Sequence, residues 1–400
     1  MAELYDPFSH ELHADPYPVY RQLRDEHPVY RCQRRGLWAL TRFGDVWDAV
    51  HDPVTFSSAK GIFPTATDVA AEAFFPMIIM MDPPRHTQLR GLVSRAFTPR
   101  RIAAMESAIR AVADELMAQF VEDGGCDLVP SFAAPLPTVV IADLLGVPRS
   151  DRAEFRHRSD QLVKGDPDDP ASYHEAMEGA GALYAYFGEI LAERRRQPRE
   201  DLITALLHAE VEGDRLSEEE LLGFCFLLLV AGNETTTNLI SNAAVLFAQH
   251  PDARAAVVRD RARLAGAIEE CVRHDSPVQG LARTLARDVE LHGQRLAAEE
   301  RVLLVFGAAN RDDREFDDAD RFDIDRRTDR HLAFGHGIHH CLGASLARLE
   351  ARIAFEALLD QLPDYELDGP GDRLHSGPIR GYVHLPIAFR PTVAAGTARS

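Results

Sequence analysis

The sequence predicts a mainly α-helical fold with minor β structure, and two observations support this prediction. Helical periodicity of the apolar residues dominates the chain. Short strand-like pieces lie near both ends, at Leu37–Thr41 and Arg301–Phe306. No internal repeat or low-complexity tract interrupts the pattern. Folded as one unit, a chain of 400 residues buries about three quarters of the surface that its unfolded form exposes, so a large core is expected.

Two helices can be placed from their own end signals. A long central helix covers about 217–250, because Ser217 and Glu220 form a capping box and Pro251 disfavours helix at His250. At about 1.5 Å per residue it would span roughly 45 Å. A second helix covers about Arg261 to His274. Four of its apolar residues recur at helical spacing on one face: Leu264, Ile268, Cys271 and Val272.

Charge and hydropathy exclude several partners. The formal net charge is −19, with 44 Lys and Arg against 63 Asp and Glu, so phosphate backbones and anionic membranes would repel the chain. The N-terminus is polar and interrupted by prolines, which is not typical of a signal peptide. The longest apolar run, Leu221–Gly232, is shorter than the roughly 20 residues of a spanning helix. We expect a cytoplasmic protein without nucleic-acid or membrane partners.

The five cysteines are widely spaced and form no CxxC pair: Cys32, Cys126, Cys225, Cys271 and Cys341. This pattern indicates neither a disulfide framework nor a zinc ribbon. Cys225 and Cys271 lie in apolar helical contexts and are interpreted as core residues. Cys341 differs, because it lies in the glycine-rich stretch F-G-H-G-I-H-H-C-L-G, which leads into a helical pattern.

The surroundings of Cys341 allow three interpretations. The glycines permit backbone conformations that a Cβ would block, and the following helix N-terminus predicts a lowered thiol pKa. The residue is a buried structural cysteine, a zinc ligand together with neighbouring histidines, or the thiolate ligand of a heme iron. Zinc is disfavoured because glycines at 335 and 337 spoil the helix that would bring His336 and His340 together. No second cluster of cysteines and histidines supplies further zinc ligands.

The ten-residue stretch around Cys341 resembles the heme-binding loop of the cytochrome P-450 family. That loop follows the pattern Phe-x-x-Gly-x-[His/Arg]-x-Cys-x-Gly, and every fixed position is filled here, by Phe334, Gly337, His339, Cys341 and Gly343. The resemblance implies that Cys341 is the axial ligand of heme b. It also implies a single heme domain over residues 1–400, since all the matching motifs must converge on one cofactor.

The long helix carries a second match, in A-G-N-E-T-T from Ala231 to Thr236. Gly232 weakens the helix and Thr235 can bond back to a carbonyl one turn earlier, which favours a local bulge or kink. By resemblance, Glu234 and Thr235 are the acid-alcohol pair that delivers protons during oxygen activation. Ala231 would then face the heme.

A third match is Glu270-x-x-Arg273 in the second helix. Residues three apart share a helix face, so the two side chains can pair and hold a further segment. The resemblance implies that Arg321 is their third partner. Two prolines common in that segment are replaced here by Asp317 and Ala319, which puts its rigidity in doubt.

By resemblance, four basic residues would bind the two heme propionates, which as buried carboxylates need charged or hydrogen-bonding partners. His86 and Arg90 are spaced to share one helix face, Arg283 lies in R-T-L-A-R-D, and His339 lies in the cysteine loop.

The resemblance implies a soluble bacterial monooxygenase that inserts one oxygen atom from O2 into an apolar small molecule. Secondary metabolism is an expected role for such an enzyme. Electrons would come from NAD(P)H through a separate ferredoxin and ferredoxin reductase, and a monomer is expected. An acidic ferredoxin would need a local basic surface. The candidates for this surface are Arg95, Arg100, Arg101 and Arg348.

The substrate pocket is predicted mainly from the variable segment between Lys60 and Met81. Its candidate residues are Phe63, Phe74, Phe75, Met77, Ile78, Val230 and Val278. Three other functions remain as alternatives: a peroxide-dependent heme peroxygenase, a non-enzymatic heme gas sensor and a zinc hydrolase. A peroxygenase of this family would lack the acid-alcohol pair, and a sensor would not need it.

Overall fold

The structure, a computed structural model, describes residues 3–64, 75–95, 97–163, 169–210 and 215–391. It confirms the predicted class, with many helices and four sheets in the described chain. The α-helices are α1 (His10–Ala14), α2 (Tyr17–Glu26), α3 (Phe43–His51), α4 (Arg85–Ser94), α5 (Pro99–Ala104), α6 (Glu106–Met117), α7 (Pro135–Leu145), α8 (Arg152–Val163), α9 (Pro170–Arg196), α10 (Leu202–Leu207), α11 (Glu218–Gln249), α12 (Pro251–Arg259), α13 (Leu264–His274), α14 (Phe306–Ala309) and α15 (Ala344–Gln361).

Shorter helical turns connect some of these helices. They are the 3-10 turns Ile78–Met80, Arg149–Asp151, Arg261–Arg263 and Gly337–His339, and the π-helical turn Val129–Ala133. Among the described residues, no helix is both long and apolar enough to cross a membrane.

The strands form one larger sheet and three small ones. The strands are β1 (Val29–Cys32), β2 (Leu37–Leu40), β3 (Phe56–Ser57), β4 (Gly125–Asp127), β5 (Leu281–Leu285), β6 (Val289–Leu291), β7 (Gln294–Leu296), β8 (Arg301–Leu304), β9 (Glu366–Leu367), β10 (Asp372–Arg373), β11 (Tyr382–His384) and β12 (Pro386–Ala388). The five-stranded sheet has the order β1-β2-β8-β5-β3, with β2 and β8 parallel. The strand-like pieces at both ends of the sequence therefore pair with each other.

The long helix α11 starts and ends where the sequence predicts. The backbone N–H of Glu220 donates to Ser217 Oγ (3.1 Å), and the Ser217 N–H donates to the Glu220 carboxylate (2.8 Å), so the capping box is complete. Arg85 of α4 binds the same carboxylate through two nitrogens, at 2.7 and 2.6 Å. These contacts connect the start of α11 to α4.

Helix α13 presents the predicted Glu270–Arg273 pair, and both side chains are fully buried. Two Arg273 nitrogens lie 2.7 Å from the Glu270 carboxylate oxygens. The prediction that Arg321 is their third partner is wrong. Arg321 is 62% exposed and pairs with Asp318 and Asp323.

Arg326 takes the position predicted for Arg321. Its Nε lies 3.2 Å from Glu270 Oε1, and its side chain is 9% exposed. The carbonyl of Asp317 accepts a hydrogen bond from Arg326 (2.7 Å), and that of Ala319 accepts one from Arg273 (2.9 Å). Backbone carbonyls thus hold the segment that lacks the usual prolines.

Candidate active site

A large cavity lies between α11, α15, the cysteine loop and the five-stranded sheet. Its volume, counted out to its mouth, is about 1460 Å³. Cys341, Thr235 and all four predicted propionate residues line it. The cavity therefore brings together residues from four separate stretches of the sequence.

The cysteine loop is held by backbone contacts. The N–H of Cys341 donates to the carbonyl of Phe334 (2.9 Å), and an Arg90 nitrogen donates to the carbonyl of His340 (2.7 Å). Gly337 has a φ of 65°, and a Cβ at this position would collide with the carbonyl oxygen of Val50 at the end of α3. Glycine is required here because the loop passes directly against α3. At Gly343 no such contact exists, since a Cβ there would meet nothing within 4 Å.

The side chain of Cys341 is exposed at the cavity, although protein atoms pack closely around its sulfur. This burial raises its pKa above the ordinary value. The backbone N–H groups of Gly343 and Ala344 and the charges of Arg90 and Arg348 act in the opposite direction. The prediction of a lowered thiol pKa is therefore wrong in its net direction, because burial outweighs the helix N-terminus.

The four basic residues lie close enough to influence each other. The His86 and His339 ring centroids are 4.5 Å apart. Burial, followed by the charges of Arg283, His86 and Arg90, lowers the pKa of His339 to about 3. Burial also lowers the pKa of Arg283 to about 10. The shift of His339 indicates that the charges of Arg283, His86 and Arg90 all act on its ring.

This cluster fits an anionic group. His86 is 2% exposed, and neither of its ring nitrogens has a hydrogen-bond partner in the part of the chain that the structure describes. Buried polar atoms without partners are costly, and a carboxylate would supply acceptors. Glu350 is the single acidic residue among the described lining residues, and burial raises its pKa well above the usual range. The cavity wall thus offers donors and little competing negative charge.

One face of α11 forms a wall of the cavity. The sequence identified Ala231 and Thr235, and the structure adds Phe224, Leu227 and Leu228 on the same face. These residues follow each other at intervals of three or four, so the helical period counted back from Thr235 could have found them. Glu234 is half-buried and is not among the described residues that line the cavity.

Helix α11 is continuous through the position of the predicted bulge or kink, and Gly232 lies at a close contact with another helix. The α-helix is continuous from Glu218 to Gln249, and Thr235 Oγ1 donates to the carbonyl of Ala231 as predicted (2.5 Å). A Cβ at Gly232 would lie 2.7 Å from Cδ1 of Ile141 in α7. The glycine therefore allows two helices to pack closely.

The structure places only some of the predicted substrate residues at the cavity. Ile78 and Val278 line the cavity, and Phe74 lies outside the described residues. Four others do not belong to the described lining: Phe63, Phe75, Met77 and Val230. Phe75 packs edge-on against Tyr184 (4.6 Å), and Met77 is buried in the main core. Phe75 and Met77 therefore pack in the main core and not at the cavity wall.

The zinc interpretation receives no support. His336 Nδ1 lies 2.8 Å from His51 Nε2, and the His336 and His340 rings are 6.2 Å apart. Across the described ranges, no group of three or more histidine, cysteine, aspartate or glutamate residues could hold a metal ion.

Comparison with known proteins identifies the family. A family model described as Cytochrome P450 matches residues 168–363. The chain is 42% identical to cytochrome P450 monooxygenase PikC of Streptomyces venezuelae, over 96% of this chain and 93% of PikC. It is 40% identical to vitamin D(3) 25-hydroxylase of Pseudonocardia autotrophica, over 98% of both. The solved structure of cytochrome P450 CYP109Q5 from Chondromyces apiculatus matches with a TM-score of 0.89 and 39% identity, over 98% of this chain and 99% of that one.

These relatives cover nearly the whole chain, and the family implies a heme cofactor, O2 as co-substrate and electrons from NAD(P)H. The chain therefore belongs to the cytochrome P450 family and is a cytochrome P450 monooxygenase.

Proposed function

We propose that this monooxygenase holds heme b through the thiolate of Cys341 and inserts one oxygen atom from O2 into an apolar small molecule. The supporting observation is the single cavity that Cys341 shares with the basic cluster of His86, Arg90, Arg283 and His339. When bound, the heme supplies the iron at which O2 is activated. The four basic residues would bind its propionates, and Phe334, Gly337 and Gly343 would shape the loop that carries Cys341.

Ligation by Cys341 is tested by the absorption spectrum of the reduced protein with carbon monoxide. A strongly red-shifted Soret band that is lost in Cys341→Ala is expected. Cys225→Ala is the matched control, because Cys225 is a fully buried core cysteine. A band at the position typical of histidine-ligated heme in the wild-type protein would contradict the proposal.

Thr235 and Glu234 are proposed to deliver protons for oxygen activation. The Thr235 hydroxyl lines the cavity and holds its proton on the carbonyl of Ala231, so a small rotation of the side chain would present that proton to the cavity. Thr235→Ala should keep NAD(P)H consumption but divert oxygen to peroxide. Thr235→Ser keeps a hydroxyl and should restore product. Full coupling of NAD(P)H to product in Thr235→Ala would refute this role.

An apolar substrate is supported by the side chains around the cavity. These lining residues include Ile78, Ile79, Phe224, Leu227, Leu228, Val278 and Leu281. Such a wall binds by burial of apolar surface and offers few groups for orientation. Vitamin D3 is the first probe, because one relative is named as its 25-hydroxylase. Binding should change the heme spin state, and Leu228→Glu should weaken it.

Electrons are proposed to come from a separate ferredoxin and its reductase, and the enzyme to act as a cytoplasmic monomer. Among the basic residues identified from the sequence, Arg100 and Arg101 are exposed on α5. Arg348 is paired with Glu269, so its charge is partly offset. Reversing the charge of Arg100 and Arg101 should slow reduction by an acidic ferredoxin, and the effect should shrink with added salt. Reversal at Arg295, an exposed residue of β7, is the control.

A further inference from the structure

The carboxylate of Glu269 connects three parts of the structure near the cysteine loop. Glu269 lies on α13, next to Glu270 of the buried ion pair. It accepts hydrogen bonds from Arg348 of α15, at 2.6 Å from Nε and 2.9 Å from a terminal nitrogen. It also contacts His331 Nε2 at 2.9 Å. The first of these pairings is bidentate, a geometry that fixes the guanidinium plane.

Both partners of Glu269 reach Phe334, the first residue of the cysteine loop. The Arg348 guanidinium lies over the Phe334 ring, 4.4 Å from its centroid. The His331 ring is 5.8 Å from the same ring. The carbonyl of Phe334 in turn accepts the backbone hydrogen bond of Cys341. Glu269 is thus linked to Cys341 through two side chains and one hydrogen-bonded loop.

The charges of Glu269 and Arg348 act along the same chain of contacts. Burial raises the pKa of Glu269, but hydrogen bonds from His331 and Arg348 lower it to about 2, so the carboxylate is ionised near neutral pH. The guanidinium of Arg348 carries its positive charge over Phe334, whose carbonyl accepts the backbone hydrogen bond of Cys341. A cation beside the loop of the thiolate ligand stabilises the reduced, more negative state of a heme-thiolate centre, and the Glu269 carboxylate offsets that effect.

We propose that Glu269 is a positioning residue that sets the reduction potential of the heme, by holding Arg348 over Phe334 and offsetting its charge. This inference rests on the proposed ligation of the heme by Cys341. It assigns to Glu269 a role separate from that of Glu270, whose pairing with Arg273 and Arg326 stabilises the fold.

The test is the heme reduction potential of the purified holoenzyme, measured by spectroelectrochemistry. Glu269→Gln leaves the charge of Arg348 uncompensated, so the potential should rise. Arg348→Gln removes the positive charge, so the potential should fall. The double variant should lie between the two single variants, and Arg348→Lys should restore much of the wild-type value.

Glu106→Gln is the matched control. Glu106 pairs with Arg352, one helical turn after Arg348 on α15, at 2.9 Å. This substitution also removes a carboxylate from an arginine of α15, but the described contacts do not link that pair to the cysteine loop. Its potential should equal that of the wild-type protein.

The outcomes separate this inference from the ligation on which it rests. A wild-type protein without the red-shifted carbon monoxide band would refute ligation by Cys341. With that band present, opposite shifts in Glu269→Gln and Arg348→Gln support the inference. Shifts in the same direction, or unchanged potentials, overturn it and leave Glu269 a structural role. If Glu269→Gln retains too little heme to be measured, the Arg348→Gln variant is the test. A reduction potential of Arg348→Gln that does not fall below the wild-type value overturns the inference.

Discussion

Replacing Arg326 with glutamine should destabilise the protein far more than the same change at Arg321. Arg326 makes four hydrogen bonds, to Glu270 Oε1 and to the carbonyls of Asp317, Asp318 and Arg321. Removing one member of a buried ion pair costs about 3–5 kcal/mol, and Glu270 keeps Arg273, so we expect a loss at the lower end, about 3 kcal/mol. The exposed pairs of Arg321 contribute about 0.2–1 kcal/mol, so Arg321→Gln should cost less than about 1 kcal/mol.

The assay is urea unfolding of the holoenzyme, followed both by circular dichroism and by the heme absorption band. Two probes are needed because cofactor proteins often unfold in more than one step. Arg326→Gln should lower the unfolding midpoint for both probes, and Arg321→Gln should leave both near the wild-type values. Equal destabilisation by the two variants, or a larger effect at Arg321, would refute the assignment of Arg326 as the third partner.

Three further outcomes are expected. Gly232→Ala should lower the free energy of unfolding by roughly 1–3 kcal/mol, because the added Cβ overpacks against Ile141. This loss is expected although alanine has a better helix propensity than glycine. Adding Ile141→Val to the same chain should recover much of the loss, as measured by urea unfolding. Gly337→Ala should impair heme retention, measured by heme transfer to apomyoglobin, because its Cβ would collide with the carbonyl oxygen of Val50. Gly293 also has a positive φ, of 73°, but a Cβ there would meet open space. Gly293→Ala should therefore cost only about 1–2 kcal/mol of stability. Because the pKa of Glu269 is lowered from 4.5 to about 2, its ion pairs contribute fully above about pH 4.5 and are lost as the pH falls toward 2. Glu269→Gln should therefore show a smaller loss of stability across that interval than the wild-type protein.

Features with local signals could be predicted from the sequence. The limits of α11 follow from the Ser217–Glu220 capping box and from Pro251, and the structure places them within one residue. The Glu270–Arg273 pair follows from spacing on one helix face. The cysteine loop could be identified because its glycines, histidine and cysteine occur at fixed positions along one short segment. In each case the information lies within a few residues of the feature.

Features that depend on distant contacts could not be predicted in the same way. Arg321 and Arg326 lie in one short, highly charged segment, and only the path of its backbone decides which guanidinium reaches Glu270. Gly232 is a plausible helix interruption until Ile141, from another helix, is found against it. The segment containing Phe75 carries apolar residues that suit either a core or a pocket. Composition alone cannot distinguish those two environments.

The geometry of α11 bears on how the proposed apolar substrate would bind. Phe224 and Thr235 lie on its cavity face eleven residues apart, which is about 16 Å along the helix axis. Leu227, Leu228 and Ala231 fill the face between them, so the apolar wall extends from the hydroxyl of Thr235 toward the start of the helix. A substrate that presents one apolar end near Thr235 would therefore bury the rest of its length along this wall. With few polar groups to fix its orientation, the position that is oxidised should depend on how far the molecule extends along the wall.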